Sequence, residues 1–308
     1  MKTDGRLINV NQNAHGGSPR YLAALSLALA GSLWGTGFLF GKMAFQEMSV
    51  TENVTFRLLI GSVALLPILI RTWQPFRGRD LWILLLSSVV GVPVQFLIQF
   101  KGLEMTTVSH ASLVIATLPM LLAGGSAIFL RERLGMVEWG VLVLSAFGAV
   151  LIAISNTRPD RGPHPTLNGD LLVLLSAVAG VVMTLSTKNL VKERDSSNVT
   201  AVTLLVGTGF LLFYAELWQP LRFHFSPKIW AAVGAQGIFA TAGAYLLWNW
   251  GLAKMPASRS GVFLNLEPVV GTCLGIIILH ETLGLTALFG GMIIIGSAIF
   301  FSLRPGDS

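Results

Sequence analysis

The chain is poor in charge and almost devoid of cysteine. Of its 308 residues only 12% are Asp, Glu, Lys or Arg, about half the ~25% usual in a soluble globular domain. Its mean hydropathy is +0.70, and the charges sit in short clusters between long apolar runs. A lipid bilayer is therefore the expected solvent. Cys273 stands alone, which excludes an intrachain disulfide and any CxxC metal site. No Walker-type phosphate loop occurs, so ATP is not the direct energy source. HxxxH, DxxD and acid-rich loops are also missing, and a membrane enzyme would need such a cluster at the interface. The net charge of +6 comes without a basic face or nucleic-acid motif. Cofactors, metals and nucleic-acid partners are accordingly not expected.

Apolar length is abundant. A membrane helix needs roughly 17–25 mostly apolar residues, and ten stretches qualify, near 21–41, 53–71, 81–100, 109–130, 137–155, 170–187, 199–218, 229–250, 259–279 and 285–303. Residues 1–20 are polar, lack the apolar centre of a signal peptide and read as a tail. The polar connector 156–168 separates 21–155 from 169–303, five spans from five, and 304–308 forms a second tail. With the N-terminus in the cytoplasm, Lys42, Lys101, Arg158, Arg161, Arg222 and Lys228 fall on the far side and Arg57 lies within a span. The remaining fourteen of the 21 basic residues then face the cytoplasm. The positive-inside rule thus puts both termini there.

The two halves repeat each other. Gly102, Leu103, Ser109, Pro119, Leu130, Glu132, Leu134 and Gly135 recur 149 residues later as Gly251, Leu252, Ser258, Pro268, Leu279, Glu281, Leu283 and Gly284. Asn53-Val54-Thr55 recurs as Asn198-Val199-Thr200, Trp82 matches Trp230, and Lys42 matches Lys188. With an odd number of spans per repeat, equivalent helices cross in opposite directions. The expected fold is an all-α membrane protein: ten transmembrane helices as a 5+5 inverted repeat around a central cavity.

Local patterns converge on a family. Span 1 carries Leu33-Trp34-Gly35-Thr36-Gly37-Phe38 and span 2 begins near Phe56-Arg57-Leu58-Leu59. Span 4 has Leu118-Pro119 and ends Leu130-Arg131-Glu132-Arg133-Leu134. Span 9 has Leu266-Glu267-Pro268-Val269 and ends Leu279-His280-Glu281-Thr282-Leu283. In order, spacing and duplication these resemble the drug/metabolite transporter superfamily, specifically the ten-helix EamA-type permeases, across the chain after residue 20. The resemblance implies a basket whose cavity is lined by helices 1, 3, 4, 6, 8 and 9, with helices 5 and 10 at the periphery. It implies export of amino acids or other small metabolites from a bacterial inner membrane; relatives carry nucleotide sugars or triose phosphates.

Several residues are candidates for the cavity. Glu267 lies near mid-bilayer, where an acid costs about 2.5–3.5 kcal/mol and should face the bundle interior or water. It suits a substrate amine or a proton, or else a structural bond to a neighbouring helix such as the one carrying Asn249. Pro268 beside it removes a backbone donor and frees carbonyls. Trp34 sits between small residues on span 1. Tyr245, Trp248 and Asn249 share one helical side, and so do Gln95 and Gln99. Thr117, Met183 and Asn265 complete the set of candidate substrate-binding residues, although Asn265 points away from Glu267 on a regular helix. Arg57 can meet a substrate carboxylate, but the resemblance favours a structural role for it. Pro119, Pro268, Glu132 and Glu281 read as structural, and His110 and His280 as interfacial or loop residues.

The expected function is secondary transport of a small amphipathic metabolite, an amino acid or drug-like compound, outward by alternating access. The partners are that solute and the bilayer, with the chain a monomer or homodimer. A sugar phosphate fits poorly, because it needs several inward basic groups and only Arg57 is available. A lipid-modifying membrane enzyme and an accessory subunit are the alternatives.

Overall fold

A computed structural model of the protein describes residues 18–131, 135–153, 158–159 and 165–303. The helices are α1 (Ser18–Ala44), α2 (Val50–Thr72), α3 (Arg79–Glu104), α4 (Val108–Phe129), α5 (Met136–Ala153), α6 (Leu167–Glu193), α7 (Ser196–Trp218), α8 (Pro227–Lys254), α9 (Leu266–Leu279) and α10 (Leu285–Leu303). Among the described residues, α1 to α4 and α6 to α8 are each long and apolar enough to cross a membrane. The stretches Phe263–Leu279 and Leu285–Ser297 are apolar but shorter. Seven segments rather than ten thus meet the full length here. The expected span 259–279 is divided: a short helical turn at Ala257–Ser260 and a 3-10 turn at Gly261–Asn265 precede α9. Pro268, at the start of α9, has no N–H to carry a regular helix backwards.

The helix starts are written in the sequence. Ser49 accepts from the Glu52 amide while Glu52 accepts from the Ser49 amide, a complete capping box for α2. Asp195, at the matching place before α7, accepts from the amides of Ser197 and Asn198. Thr107 caps α4 and Thr166 caps α6. Both α3 and α8 carry one π-type turn, Val90–Val94 and Ile238–Gly243. Each inserts an extra residue and rotates the faces that follow it.

Packing follows the duplication. Gly61 on α2 abuts the Gly237 carbonyl of α8, and Gly207 on α7 abuts the Ser88 carbonyl of α3. A Cβ would come within 2.9 Å and 2.8 Å of those oxygens, so only glycine lets the backbones meet. Ser62 of α2 and Thr208 of α7, one from each half, hydrogen-bond each other at 2.9 Å. Lys42 donates to the Thr106 carbonyl, where α3 ends, at 2.5 Å. Its equivalent Lys188 donates to the carbonyls of Leu252 and Met255, where α8 ends. In both cases the ammonium complements the negative end of a helix dipole.

Polar contacts gather at two ends. At one, Glu281 accepts from the amides of Val108 and Ser109, 2.9 and 2.7 Å, and Arg158–Pro159 pairs antiparallel with Glu281–Thr282. Here too Arg222 forks onto Glu52 at 2.7 and 2.8 Å. At the other end Arg194 bonds Asp80 at 2.6 Å, and Asn198 exchanges bonds with Gln74. The flanks between are apolar and exposed, as at Ile277, Phe213 and Trp82. Apolar groups on the outside and polar bonds at both ends are what a bilayer demands.

Candidate transport cavity

A cavity lies inside the bundle, walled by α1, α2, α3, α4, α6, α8 and the start of α9. It offers about 70 Å³ of room for the centres of water molecules, enough for on the order of five waters or the polar part of a small solute. Helix α2 joins the six helices expected. Helices α5 and α10 pack on each other away from it.

One wall is aromatic. Trp34 meets Tyr245 edge-on with centroids 5.3 Å apart and Trp248 at 5.4 Å. The π-type turn of α8 places Tyr245, Trp248 and Asn249 toward this wall. On α3 the stripe Gln95, Phe96, Gln99 and Phe100 follows the other π-type turn and also faces inward. Met183 packs on Gly91 within that turn, where a Cβ would strike its sulfur.

A guanidinium and a carboxyl group face the same space. Arg57, one of the largest fully buried side chains, donates from Nε and Nη2 to Thr241 Oγ1 (3.1 and 2.9 Å) and from Nη2 to the Ala240 carbonyl (3.3 Å). Its guanidinium lies 4.4 Å over the Phe96 ring and 5.0 Å over Phe100, an arrangement that favours a cation. It is therefore at once a helix–helix tie and part of the cavity wall, a role that the sequence reading left secondary. Glu267 enters from the start of α9. Gly35 on α1 sits against its carbonyl, 2.6 Å from where a Cβ would be, which fixes its height. Among the described residues the Glu267 side chain makes no hydrogen bond and no ion pair with Arg57. Asn249 is committed elsewhere: its amide donates to Thr200 Oγ1 at 2.8 Å. Gln95 keeps its buried Oε1 without a partner.

Of the expected substrate-binding residues, Trp34, Gln95, Gln99, Met183, Tyr245, Trp248, Asn249 and Glu267 line this cavity. Thr117 and Asn265 do not. Thr117 bonds the Val114 carbonyl of its own turn at 2.8 Å, and Asn265 ends the 3-10 turn, whose rotation keeps it off the wall. Pro119 and Pro268 open matching helical segments. Glu281 caps α4, and Glu132 lies outside the described residues. His110 stands near the start of its span, as expected, but is fully buried, with Nδ1 2.9 Å from Asp170. Its partner stands 60 residues away, beyond any local reading. Sequence reasoning also passed over Phe96 and Phe100. Their spacing with Gln95 and Gln99 was the available signal.

Outside the spans, Ser226 bonds Glu47 through its side chain and, at 2.7 Å, its amide, holding that carboxyl below its usual range. The hydrogen bonds to Glu52 raise the pKa of Arg222.

The EamA-like transporter family model matches residues 21–154 and again 167–303. The chain belongs to the EamA-like transporter family. This EamA-like protein is 28% identical over 284 residues to the uncharacterized transporter YetK of Bacillus subtilis, covering 88% of this chain and 86% of that one. It is also 28% identical over 280 residues to an uncharacterized transporter of Archaeoglobus fulgidus, covering 90% and 98%. A solved structure titled "Crystal structure of protein" shares the fold with a TM-score of 0.69 at 20% identity, covering 91% of this chain and 96% of its own. The chain is thus a multi-pass membrane protein of a transporter family.

Proposed function

We infer that this EamA-like protein exports a small zwitterionic, partly apolar metabolite, of amino-acid type, across the inner membrane. The observation that carries this is that Arg57 and Glu267, a guanidinium and a carboxyl with no ion pair between them, line one aromatic-walled cavity. A carboxylate meets the guanidinium, an ammonium meets Glu267, and an apolar side chain rests against Trp34, Tyr245 and Trp248. Each ligand charge replaces water with a fixed partner, which offsets its desolvation. A sugar phosphate lacks the second cation it would need.

The mechanism is alternating access between two inverted five-helix repeats, with both termini cytoplasmic. Supporting this reading, Lys42 ties α1 to the end of α3 at one face of the bundle, and Lys188 ties α6 to the end of α8 at the other. Ser62 and Thr208 meet at the centre, as residues beside a two-fold axis do. The purified protein in liposomes, offered a metabolite panel, is expected to move neutral amino acids and to ignore sugar phosphates. Lipid turnover without solute flux would instead make it an enzyme.

A further inference from the structure

A second groove lies apart from the cavity, on the membrane-facing side between α3, the end of α4 and the last turns of α6. It offers about 490 Å³ of room for the centres of water molecules, far more than the central cavity. Its body is apolar and outward-facing: Leu86 and Phe129 are 66% and 72% exposed. Yet three polar groups stand in it. Ser87 is buried with its hydroxyl unpartnered, and Ser186 and Asn189 are exposed along α6. None of the three side chains bonds another group among the described residues.

Depth identifies what they await. Ser87 lies eight residues below Arg79 on α3 and Ser186 seven below Glu193 on α6, roughly 10–12 Å at 1.5 Å per residue. The headgroup layer occupies roughly 5–7 Å on each side of a bilayer. The hydroxyls therefore sit about 3–7 Å inside the hydrocarbon boundary, where water is scarce and the ester carbonyls just above are the nearest lipid acceptors. At the rim, Asp80 is already paired with Arg194. Arg79 and Glu193 make no hydrogen bond or ion pair among the described residues and line the mouth from different helices.

We propose that this groove is a binding site for an aminophospholipid. The phosphate meets Arg79, the primary ammonium meets Glu193, and the ester carbonyls accept from Ser87 and Ser186. One acyl chain lies along Leu86 and Phe129. An anionic headgroup leaves Glu193 opposed by nothing, and a choline headgroup has no N–H to donate.

Delipidated protein in detergent, mixed in turn with dioleoyl phosphatidylethanolamine, phosphatidylcholine and phosphatidylglycerol, tests this by native mass spectrometry. The ethanolamine lipid is expected to be retained about fivefold over each of the others, the effect of one partly exposed charge pair. Glu193→Gln removes the preference over phosphatidylcholine, and Ser87→Leu, which fills the groove, lowers retention of all three. Glu104→Gln, paired with Lys101 at the opposite end, leaves it unchanged. Equal retention of the three lipids, a preference for phosphatidylglycerol, or an unaltered preference in Glu193→Gln would overturn the assignment. Because Glu193 is exposed, its variant reads out even where Ser87→Leu folds poorly.

Discussion

Arg57→Gln separates recognition from architecture. The guanidinium makes three hydrogen bonds to α8 and lies over two rings, and in the proposed mode it also takes the substrate carboxylate. Losing one partner of a buried, hydrogen-bonded charge pair costs about 2–5 kcal/mol; with some water in the cavity the lower end applies, roughly 30-fold in affinity. The assay is competition against a transported amino acid by the same amino acid and by its carboxamide, which keeps the ammonium and loses the negative charge. The wild type should prefer the acid by about 30-fold, and Arg57→Gln should bring the ratio close to one. Thr241→Val removes two of the bonds to α8 but keeps the charge. It should lower thermal stability, by about 1.5–3 kcal/mol for bonds to a charged group, while the acid-to-amide ratio survives. If Arg57→Gln discriminates acid from amide as well as the wild type does, Arg57 does not bind the substrate.

Glu267→Gln keeps the shape of its wall and removes the charge; an imposed proton gradient should no longer drive flux, and undiminished proton-driven uptake in liposomes would show that the carboxylate is not the coupling site. Gly207→Val should destabilise by about 1–3 kcal/mol through overpacking, since a Cβ there lies 2.5 Å from the Val92 Cβ and 2.8 Å from the Ser88 carbonyl, whereas Gly209→Val, with nothing within 4 Å, should leave the melting temperature in detergent unchanged. Glu47 has a pKa below its ordinary 4.5 because Ser226 bonds the carboxylate. That contribution is present above about pH 4.5 and lost as pH falls through the lower folded value, so Glu47→Gln should lower stability slightly at neutral pH, flatten the acid limb, and match the wild type once the carboxylate is protonated.

Much of this was legible in the chain because lipid makes polarity expensive. A Glu, two Gln and an Asn inside apolar runs had to face protein or water, and Glu267, Gln95, Gln99 and Asn249 do line the cavity. The family was readable because Pro119 and the Leu130-x-Glu132 motif recur at one constant offset as Pro268 and Leu279-x-Glu281. Local irregularity was not readable. Helical spacing gives no notice of the π-type turns at 90–94 and 238–243, which re-aim Gln95 and Tyr245, nor of the 3-10 turn that turns Asn265 aside. Long-range partners were equally silent: His110 finds Asp170, and Arg57 finds Thr241, only once the bundle closes.

The most direct measurement uses Thr184→Cys on the cavity wall, with Cys273 replaced by Ser. In liposomes carrying an amino acid that the protein moves, a membrane-impermeant thiol reagent should label position 184 from either face, and the amino acid should slow that labelling. Labelling from one face only, or at a rate indifferent to a solute that is crossing, would mean that the solute travels by another path.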